Sequence, residues 1–292
     1  MTVLAKSIAA VLPPGNFVKD KQTKNEELRV TDVSPVPITR LSLAQDGFAR
    51  EIAVADRPGR APGVFWMSGF MSDMAGTKAG EVDRWCAGHG LACTRFDYSA
   101  HGASGGSIED GSLSRWLAES RHVFEKTATG PRIVIGSSMG GFLATLLAKA
   151  LCAEDPACPL IAGMILIAPA IDMTERLMWA EMSDDIRRQI METGGWFRPS
   201  PYDDGGYTIT KRLIEDGRNH LLFDGPLLKF PFPLVILQGR LDEDVPLDVS
   251  LDLVALLDAD VSLTVVPDGD HRLSREQDIA LLLRTIERMV RD

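Results

Sequence analysis

A serine between glycines stands where an apolar strand passes directly into a helix. Residues 136–140 read Gly-Ser-Ser-Met-Gly, after the apolar run 132–135 and before the helical run 142–147. A GxSxG turn in this context strains the backbone of its middle residue, and its glycines remove side chains that would clash with the strand and the helix. The pattern predicts that Ser138 projects its hydroxyl into a cleft as a nucleophile.

A serine hydroxyl is a poor nucleophile at neutral pH unless a positioned base takes its proton. The chain has five histidines, and His271 lies on the loop between the last predicted strand and the last predicted helix. That loop returns to the same carboxyl edge of a parallel sheet as Ser138, so we predict that His271 is the general base. The other histidines are interpreted as surface, capping or structural residues: His89, His101, His122 and His220.

The base in turn needs a carboxylate that fixes its tautomer and stabilises its charged form. The loop after the strand at 234–237 carries three consecutive acids, of which Asp242 and Asp244 are the candidates, with Asp172 a more distant third. Asp244 has a competing structural role, since it stands where a helix begins and could cap it. The chain order of serine, aspartate and histidine is the order found in α/β-hydrolases.

Acyl transfer also requires backbone N–H groups that stabilise the oxyanion, and loss of one donor costs on the order of 3 kcal/mol. Met139 follows the nucleophile and is predicted to supply one N–H. Phe70, on the loop after the third strand, is predicted to supply the second, because Gly69 beside it allows close approach. Both roles belong to the backbone.

The elements that must position these residues alternate between short apolar runs and amphipathic stretches, as in a mostly parallel sheet with helices on both faces. We predict an α/β-hydrolase fold with about eight strands. The predicted strands span residues 38–43, 48–55, 63–67, 92–96, 132–135, 163–167, 234–237 and 261–266. The predicted helices span residues 77–87, 113–126, 140–150, 247–257 and 277–291.

Two segments depart from the alternation. Residues 1–35 are polar and broken by prolines, which predicts a loosely docked arm ahead of a catalytic domain over 36–292. Residues at about 170–230 lack a buried-strand pattern and predict a helical lid inserted in that domain. Its aromatic side chains either form the core of the lid or line an apolar cleft, and Trp196 is the one predicted to bind substrate. The group comprises Trp179, Trp196, Phe197, Tyr202 and Tyr207.

Composition narrows the class of protein. Lys and Arg number 31 against 41 Asp and Glu, a net charge of −10, and the basic residues form no stripe, which argues against a nucleic-acid partner. No window approaches the roughly 18 apolar residues of a membrane span. The four cysteines show neither metal-ligand spacing nor a need for disulfides, and no secretory signal is evident, which favours a cytoplasmic protein.

With these residues in view, the chain from about residue 63 to its end resembles the abhydrolase-domain acyl-protein thioesterases, a group that includes acyl-glucuronide esterases. The resemblance rests on motifs at residues 69–79, 95–99, 136–141, 195–196, 199–200 and 270–272. In the superfamily the acid loop usually reads GxxDxxVP, which matches residues 239–246 and favours Asp242 over Asp244.

The resemblance implies hydrolysis of thioesters or activated esters of small-molecule or protein-linked acyl groups, by Ser138, His271 and Asp242. It implies no cofactor and no metal. Three alternatives stay open within this fold: a peptidase, a carbon–carbon bond hydrolase, or a non-catalytic protein that binds a ligand in the cleft.

Overall fold

The computed structural model describes residues 34–45, 48–199 and 206–291. Most of the predicted N-terminal arm, and Tyr202 of the predicted lid, therefore lie outside the described residues. The strands are β1 (Ile38–Gln45), β2 (Phe48–Arg57), β3 (Arg60–Met67), β4 (Leu91–Phe96), β5 (Arg132–Ser137), β6 (Ile161–Ile167), β7 (Gly195–Pro199), β8 (Gly206–Thr210), β9 (Leu228–Lys229), β10 (Leu234–Gly239), β11 (Leu257–Asp258) and β12 (Val261–Val266). The α-helices are α1 (Thr77–Gly88), α2 (Leu113–Thr127), α3 (Met139–Glu154), α4 (Asp184–Thr193), α5 (Lys211–Gly217), α6 (Leu247–Leu256) and α7 (Glu276–Arg291).

Eight strands form one sheet in the order β1-β2-β4-β3-β5-β6-β10-β12. The first two pairings, β1 with β2 and β2 with β4, are antiparallel, and every later neighbour is parallel. These eight strands are the predicted ones; β12 has the predicted bounds, and the other seven extend one to three residues further. The prediction of an eight-stranded, mostly parallel sheet is confirmed.

Helices cover both faces of the sheet. The alternating side chains of β5 illustrate this, because Val134 belongs to one buried cluster and Ile133 and Ile135 to the other. The cluster on the Val134 side takes residues from α2, α3 and α6, whereas the opposite one takes residues from α1 and α7. Strands buried on both faces are apolar throughout, which is why their positions could be read as continuous runs.

Residues 170–230, which we call the insertion, contain more than the predicted helices. A π-helix (Met173–Trp179), α4 and α5 are present, but β7 and β8 pair as an antiparallel hairpin that the sequence did not predict. The residues of β7 are half-buried or exposed, so no run of buried apolar residues marks the strand.

Three loops at the carboxyl edge of the parallel strands carry the candidate chemistry. The turn after β5 holds Ser138, the loop after β10 holds Asp242, and the loop after β12 holds His271. Parallel strands bring these loops to one edge of the sheet although they are far apart in sequence.

None of the helices in the described part of the chain has the length and apolar character needed to cross a bilayer.

Candidate active site

Ser138 adopts a backbone conformation that side-chain-bearing residues rarely take. Its φ is 56° and its ψ is −120°, and the residue sits directly between β5 and α3. Non-glycine residues in this region carry backbone strain of order 1–3 kcal/mol, which persists only where the surrounding structure imposes it. The N–H of Ser138 donates to the carbonyl of Ile167 at 2.9 Å, and its own carbonyl accepts from Ala170 at 3.1 Å. Both contacts fix the turn against the end of β6.

The two glycines of the motif are required by close backbone contacts. A Cβ on Gly136 would lie 2.3 Å from the carbonyl oxygen of Gly140, and one on Gly140 would lie 2.1 Å from the carbonyl oxygen of Met67. These contacts are with backbone atoms, which cannot rotate away. The glycines thus let α3 start close enough to β3 and β5 to hold Ser138 at the sheet edge.

His271 reaches Ser138 across the gap between the two loops. Nε2 of His271 lies 3.0 Å from Oγ of Ser138, and Nδ1 lies 2.9 Å from Oδ2 of Asp242. A carboxylate oxygen accepts hydrogen bonds, so Nδ1 carries the proton and Nε2 is left to accept from the serine hydroxyl. This is the tautomer that a general base needs.

Of the three candidate acids, Asp242 is the one whose carboxylate lies 2.9 Å from Nδ1 of the histidine. Its side chain is fully buried, and its Oδ1 accepts the backbone N–H groups of Asp244 at 3.0 Å and Val245 at 2.8 Å. Asp172 instead accepts the N–H groups of Leu222 and Phe223 and holds two parts of the insertion together. Burial raises the pKa of Asp172, although these two bonds act against the rise.

The acid and histidine loops are joined along their backbones. The N–H of Leu241 donates to the carbonyl of Gly269 at 2.8 Å, and the N–H of Arg240 donates to that of Val266 at 2.9 Å. A Cβ on Gly239 would lie 2.5 Å from the carbonyl oxygen of Asp270. The separation of Asp242 and His271 is therefore set by backbone contacts as well as by their own hydrogen bond.

The loop after β3, which is expected from the sequence to supply an oxyanion N–H group, lies against the nucleophile. A Cβ on Gly69 would lie 3.3 Å from Cβ of Ser138. Met139, at the first position of α3, belongs to the first turn of a helix, where N–H groups have no acceptor within the helix. Asp97 anchors the far end of the loop by accepting the N–H of Met74 at 2.7 Å. Burial raises the pKa of Asp97, and its backbone hydrogen bonds oppose that rise.

A cavity of about 1010 Å³ opens on Ser138 and His271. The insertion supplies its apolar wall, to which Phe70 and Val245 of the core domain also contribute. The insertion residues in this wall are Met173, Leu177, Met178, Met182, Ile186, Trp196 and Tyr207.

Two aromatics of the insertion, Phe197 and Trp179, do not line this cavity, whereas Trp196 and Tyr207 do. Phe197 is 57% exposed, because it points to the opposite side of β7 from its neighbours Trp196 and Arg198, which do line the cavity. The ring of Trp179 packs against two guanidinium groups, with Arg218 at 5.0 Å and Arg187 at 5.6 Å from its centroid. Trp179 thus belongs to the packing of the insertion itself.

The cavity has polar lining as well, and the start of α1 and the histidine loop form part of it. The ammonium of Lys78 donates to the carbonyl of Arg272 and to Oγ of Ser274. Burial lowers the pKa of Lys78 to about 8, although the nearby carboxylate of Asp270 opposes the shift.

The other four histidines are not among the residues that line the cavity. His101 is buried, and its Nδ1 lies 3.0 Å from the carbonyl of Ser99, while its ring contacts Phe70 and Trp116 edge-on. Burial lowers the pKa of His101. His89 stacks on Trp85, and His220 lies 2.7 Å from Oγ of Ser114.

Asp242, Asp244 and His271 also place ligand-type atoms within 4.8 Å of one another. Because Asp242 and His271 are hydrogen-bonded to each other, this cluster is accounted for by the acid–histidine pair.

Sequence reasoning missed one residue of this site, the buried Gln238, whose amide donates to Oδ2 of Asp242 at 3.0 Å. A polar side chain in the last positions of an otherwise apolar strand was the available signal.

Comparison with known proteins identifies the family to which the chain belongs. A model described as the alpha/beta hydrolase family matches residues 61–284. The chain belongs to the alpha/beta hydrolase family. The predicted fold and the prediction of a hydrolase of this fold are thereby confirmed at the level of the family.

Individual proteins that this alpha/beta hydrolase resembles are also hydrolases of this fold. It is 30% identical over 254 residues to the human protein named mitochondrial palmitoyl-protein thioesterase ABHD10, covering 86% of this chain and 80% of the human one. A putative hydrolase from Agrobacterium vitis S4 is 40% identical with a TM-score of 0.84, covering 88% of this chain and all of that one. Mouse alpha/beta hydrolase domain-containing protein 10 is 29% identical with a TM-score of 0.76, covering 86% and 98%. The predicted resemblance to abhydrolase-domain acyl-protein thioesterases is confirmed.

Proposed function

We propose that this alpha/beta hydrolase cleaves acyl thioesters or carboxylic esters through a Ser138, His271 and Asp242 triad and an acyl-enzyme intermediate. The observation that carries the proposal is the continuous line of hydrogen bonds from Asp242 through His271 to Ser138, which ends at a large cavity. A serine in this setting has both a base to take its proton and space for a substrate.

The chemistry follows from the atoms in that line. As Oγ of Ser138 attacks the acyl carbonyl, Nε2 of His271 takes the hydroxyl proton, and Asp242 stabilises the resulting imidazolium. Negative charge develops on the carbonyl oxygen, where the N–H groups of Phe70 and Met139 are proposed to donate. The proton then passes from His271 to the leaving thiolate or alkoxide as the bond to the acyl carbon breaks.

Water completes the cycle by the same route in reverse. His271 takes a proton from a water molecule that attacks the acyl-enzyme, and it returns that proton to Ser138 as the acid is released. The net reaction consumes one water and yields an acid and a thiol or alcohol. His271 accepts and donates the proton in every step, so we propose no cofactor.

The apolar wall of the insertion supports an acyl group as the part of the substrate that enters the cavity. Its methionines are flexible and polarisable, which suits a chain of variable shape. The curated relatives are named palmitoyl-protein thioesterases, and a long acyl chain agrees with this wall. We propose that the insertion acts as a lid on a catalytic domain spanning residues 36–292, with Trp196 as one of the residues that contact the chain.

Hydrolysis of acyl thioesters and p-nitrophenyl esters by the purified chain tests this function. We expect turnover, and a mass increase equal to one acyl group on Ser138 when the reaction is quenched early. Ser138→Ala and His271→Ala should each lower turnover by several orders of magnitude, and the double variant should be scarcely worse than either, because the two residues act as a unit.

Other outcomes of the same assays would contradict the proposal. Cleavage of peptides with no cleavage of esters would favour a peptidase. Tight ligand binding without turnover or acylation would favour a non-catalytic member of the family.

The compartment is a separate proposal, based on the thiols. All four cysteines are free, and Cys86, Cys93 and Cys158 are buried. Free thiols agree with a reducing compartment. We propose the cytoplasm, whereas the named relatives are mitochondrial. Fractionation of cells that express the full chain tests this, and recovery with an organelle or the cell envelope would contradict it.

A further inference from the structure

Gln238 places a carboxamide inside the protein, directly behind the candidate acid. It is the second-to-last residue of β10, and its side chain has no exposed surface. A buried amide without partners costs several kcal/mol, so a carboxamide at this position needs defined acceptors and donors. The neighbours Ile236 and Leu237 are apolar and buried, which makes Gln238 the polar exception at the end of this strand.

The surroundings allow only one orientation of this amide. Nε2 faces three acceptors, with Oδ2 of Asp242 and the carbonyl of Val245 both at 3.0 Å and the carbonyl of Gly239 at 3.2 Å. Oε1 accepts the hydroxyl of Ser250, from α6, at 2.8 Å. If the amide were flipped, its oxygen would face three other acceptors. The nitrogen therefore points at Asp242.

The carboxylate of Asp242 is consequently held on both of its oxygens. Oδ1 accepts two backbone N–H groups, from Asp244 and Val245. Oδ2 is shared by the Nε2 amide of Gln238 and by Nδ1 of His271. The backbone contacts fix one oxygen, and the amide of Gln238 fixes the rotation that turns the other oxygen toward the histidine.

We infer that Gln238 is a positioning residue for the triad, acting through Asp242 and held in turn by Ser250. This inference rests on the function proposed above. Gln238 lies behind Asp242 and does not contact the reacting atoms. Its effect is on the bond between Asp242 and His271, and through that bond on how well Nε2 is aimed at the serine hydroxyl. Catalytic groups need such support, because small errors in geometry cost large factors in rate.

Gln238→Met tests the inference, since methionine has a similar length and no hydrogen-bond donor. We expect kcat for a p-nitrophenyl ester to fall roughly ten- to hundredfold, the range for losing a hydrogen bond to a charged group, with KM nearly unchanged. The low-field proton NMR resonance of Nδ1–H in His271 should broaden or disappear. Ser250→Ala, which removes only the support of Oε1, should lower kcat by a smaller factor and keep the resonance.

The matched control is Thr285→Val, which deletes a similar buried hydroxyl bond in α7, to the carbonyl of Leu281 at 2.8 Å. It should lower the melting temperature and leave kcat unchanged. If Gln238→Met behaved like this control, with a lower melting temperature, an unchanged kcat and an intact resonance, the inference would be overturned. If Gln238→Met does not fold, Ser250→Ala decides, since an unchanged kcat there would equally overturn it.

The failure of this inference and that of the proposed function are distinguishable. If the native protein hydrolyses no ester, the proposed function fails, and the Nδ1–H resonance alone decides on Gln238. Its loss in Gln238→Met would support the positioning role, and its retention would overturn it.

Discussion

The ring of Tyr207 meets the ring of Phe70 edge-on, with centroids 5.0 Å apart and ring planes at 88°. Tyr207 lies on β8 of the insertion, whereas Phe70 lies on the loop proposed to bind the oxyanion. Both residues line the cavity. The contact links the wall that receives the acyl group to the backbone that stabilises the reacting carbonyl.

Tyr207→Ala should therefore lower kcat/KM even for substrates too short to reach the rest of the insertion. An edge-on aromatic pair contributes about 0.5–1.5 kcal/mol, which corresponds to roughly two- to twelvefold in rate if the contact holds Phe70 in place. Tyr207→Phe keeps the ring and should retain most of the activity. The measurement is kcat/KM for p-nitrophenyl acetate, and equal losses in the two variants would show that the hydroxyl matters and the ring contact does not.

The acid can be identified by a pair of amide substitutions. Asp242→Asn should reduce kcat by about four orders of magnitude, the loss seen when a triad carboxylate becomes an amide that favours the wrong histidine tautomer. Asp244→Asn should be mild, because its contribution to Asp242 is a backbone N–H that the substitution keeps. Steady-state kinetics on both variants show which substitution lowers kcat more. A larger loss in Asp244→Asn than in Asp242→Asn would identify Asp244 as the acid.

The cavity predicts a dependence on acyl chain length. Each buried methylene gains up to about 0.8 kcal/mol, so kcat/KM should rise roughly three- to fourfold per carbon until the pocket ends. Trp196→Ala should flatten this rise, because Trp196 lines the cavity. Phe197→Ala is the matched control on the same strand, and it should keep the native profile because Phe197 is 57% exposed. A native profile without a slope, or a Trp196→Ala profile that keeps the native slope, would contradict the acyl-pocket proposal.

Stability should depend on pH through His101. Burial lowers the pKa of His101 in the folded protein below the ordinary value of 6.5. The unfolded chain then binds the proton more readily, so the contribution of His101 to stability is present above pH 6.5 and is lost as the pH falls below it. Urea unfolding of the native protein and of His101→Phe, at pH 7.5 and at pH 5.5, measures this contribution. The variant should lose less free energy of unfolding on acidification.

His220 provides an internal reference in that experiment. Burial lowers its pKa too, and its contribution has the same sign in both proteins. Only the difference between the native protein and the variant is assigned to His101. Equal losses of unfolding free energy on acidification would show that His101 gains its proton without cost in the folded state.

The sheet and its flanking helices could be predicted because burial on both faces leaves a plain sequence signal. The strand Val261–Val266 was predicted with its observed bounds. The β7–β8 hairpin could not be predicted in this way, since no residue of β7 is buried and only the last two residues of β8 are. The residues alone left open whether Phe197 lines the cleft, because without the strand there was no alternation to place it opposite Trp196.

The candidate site was predicted as far as residue types and chain order allow. Ser138 has a motif with a steric cause, and His271 follows from its place after the last strand. The residues alone left Asp242 and Asp244 open, and the loop pattern of the resembled superfamily favoured Asp242, because the choice depends on how the loop folds back on its own N–H groups. Gln238 was missed because its role depends on Asp242 and Ser250 meeting it in space.

Reaction of the native chain with a fluorophosphonate probe, followed by peptide mapping, tests the central proposal most directly. The probe needs an activated serine next to an oxyanion site, so we expect one label per chain, on Ser138, and none on Ser138→Ala. His271→Ala should be labelled far more slowly, because the base that activates the hydroxyl is gone. A native chain that stays unlabelled, or a Ser138→Ala variant that is labelled as fully as the native chain, would contradict the assignment of Ser138 as the nucleophile.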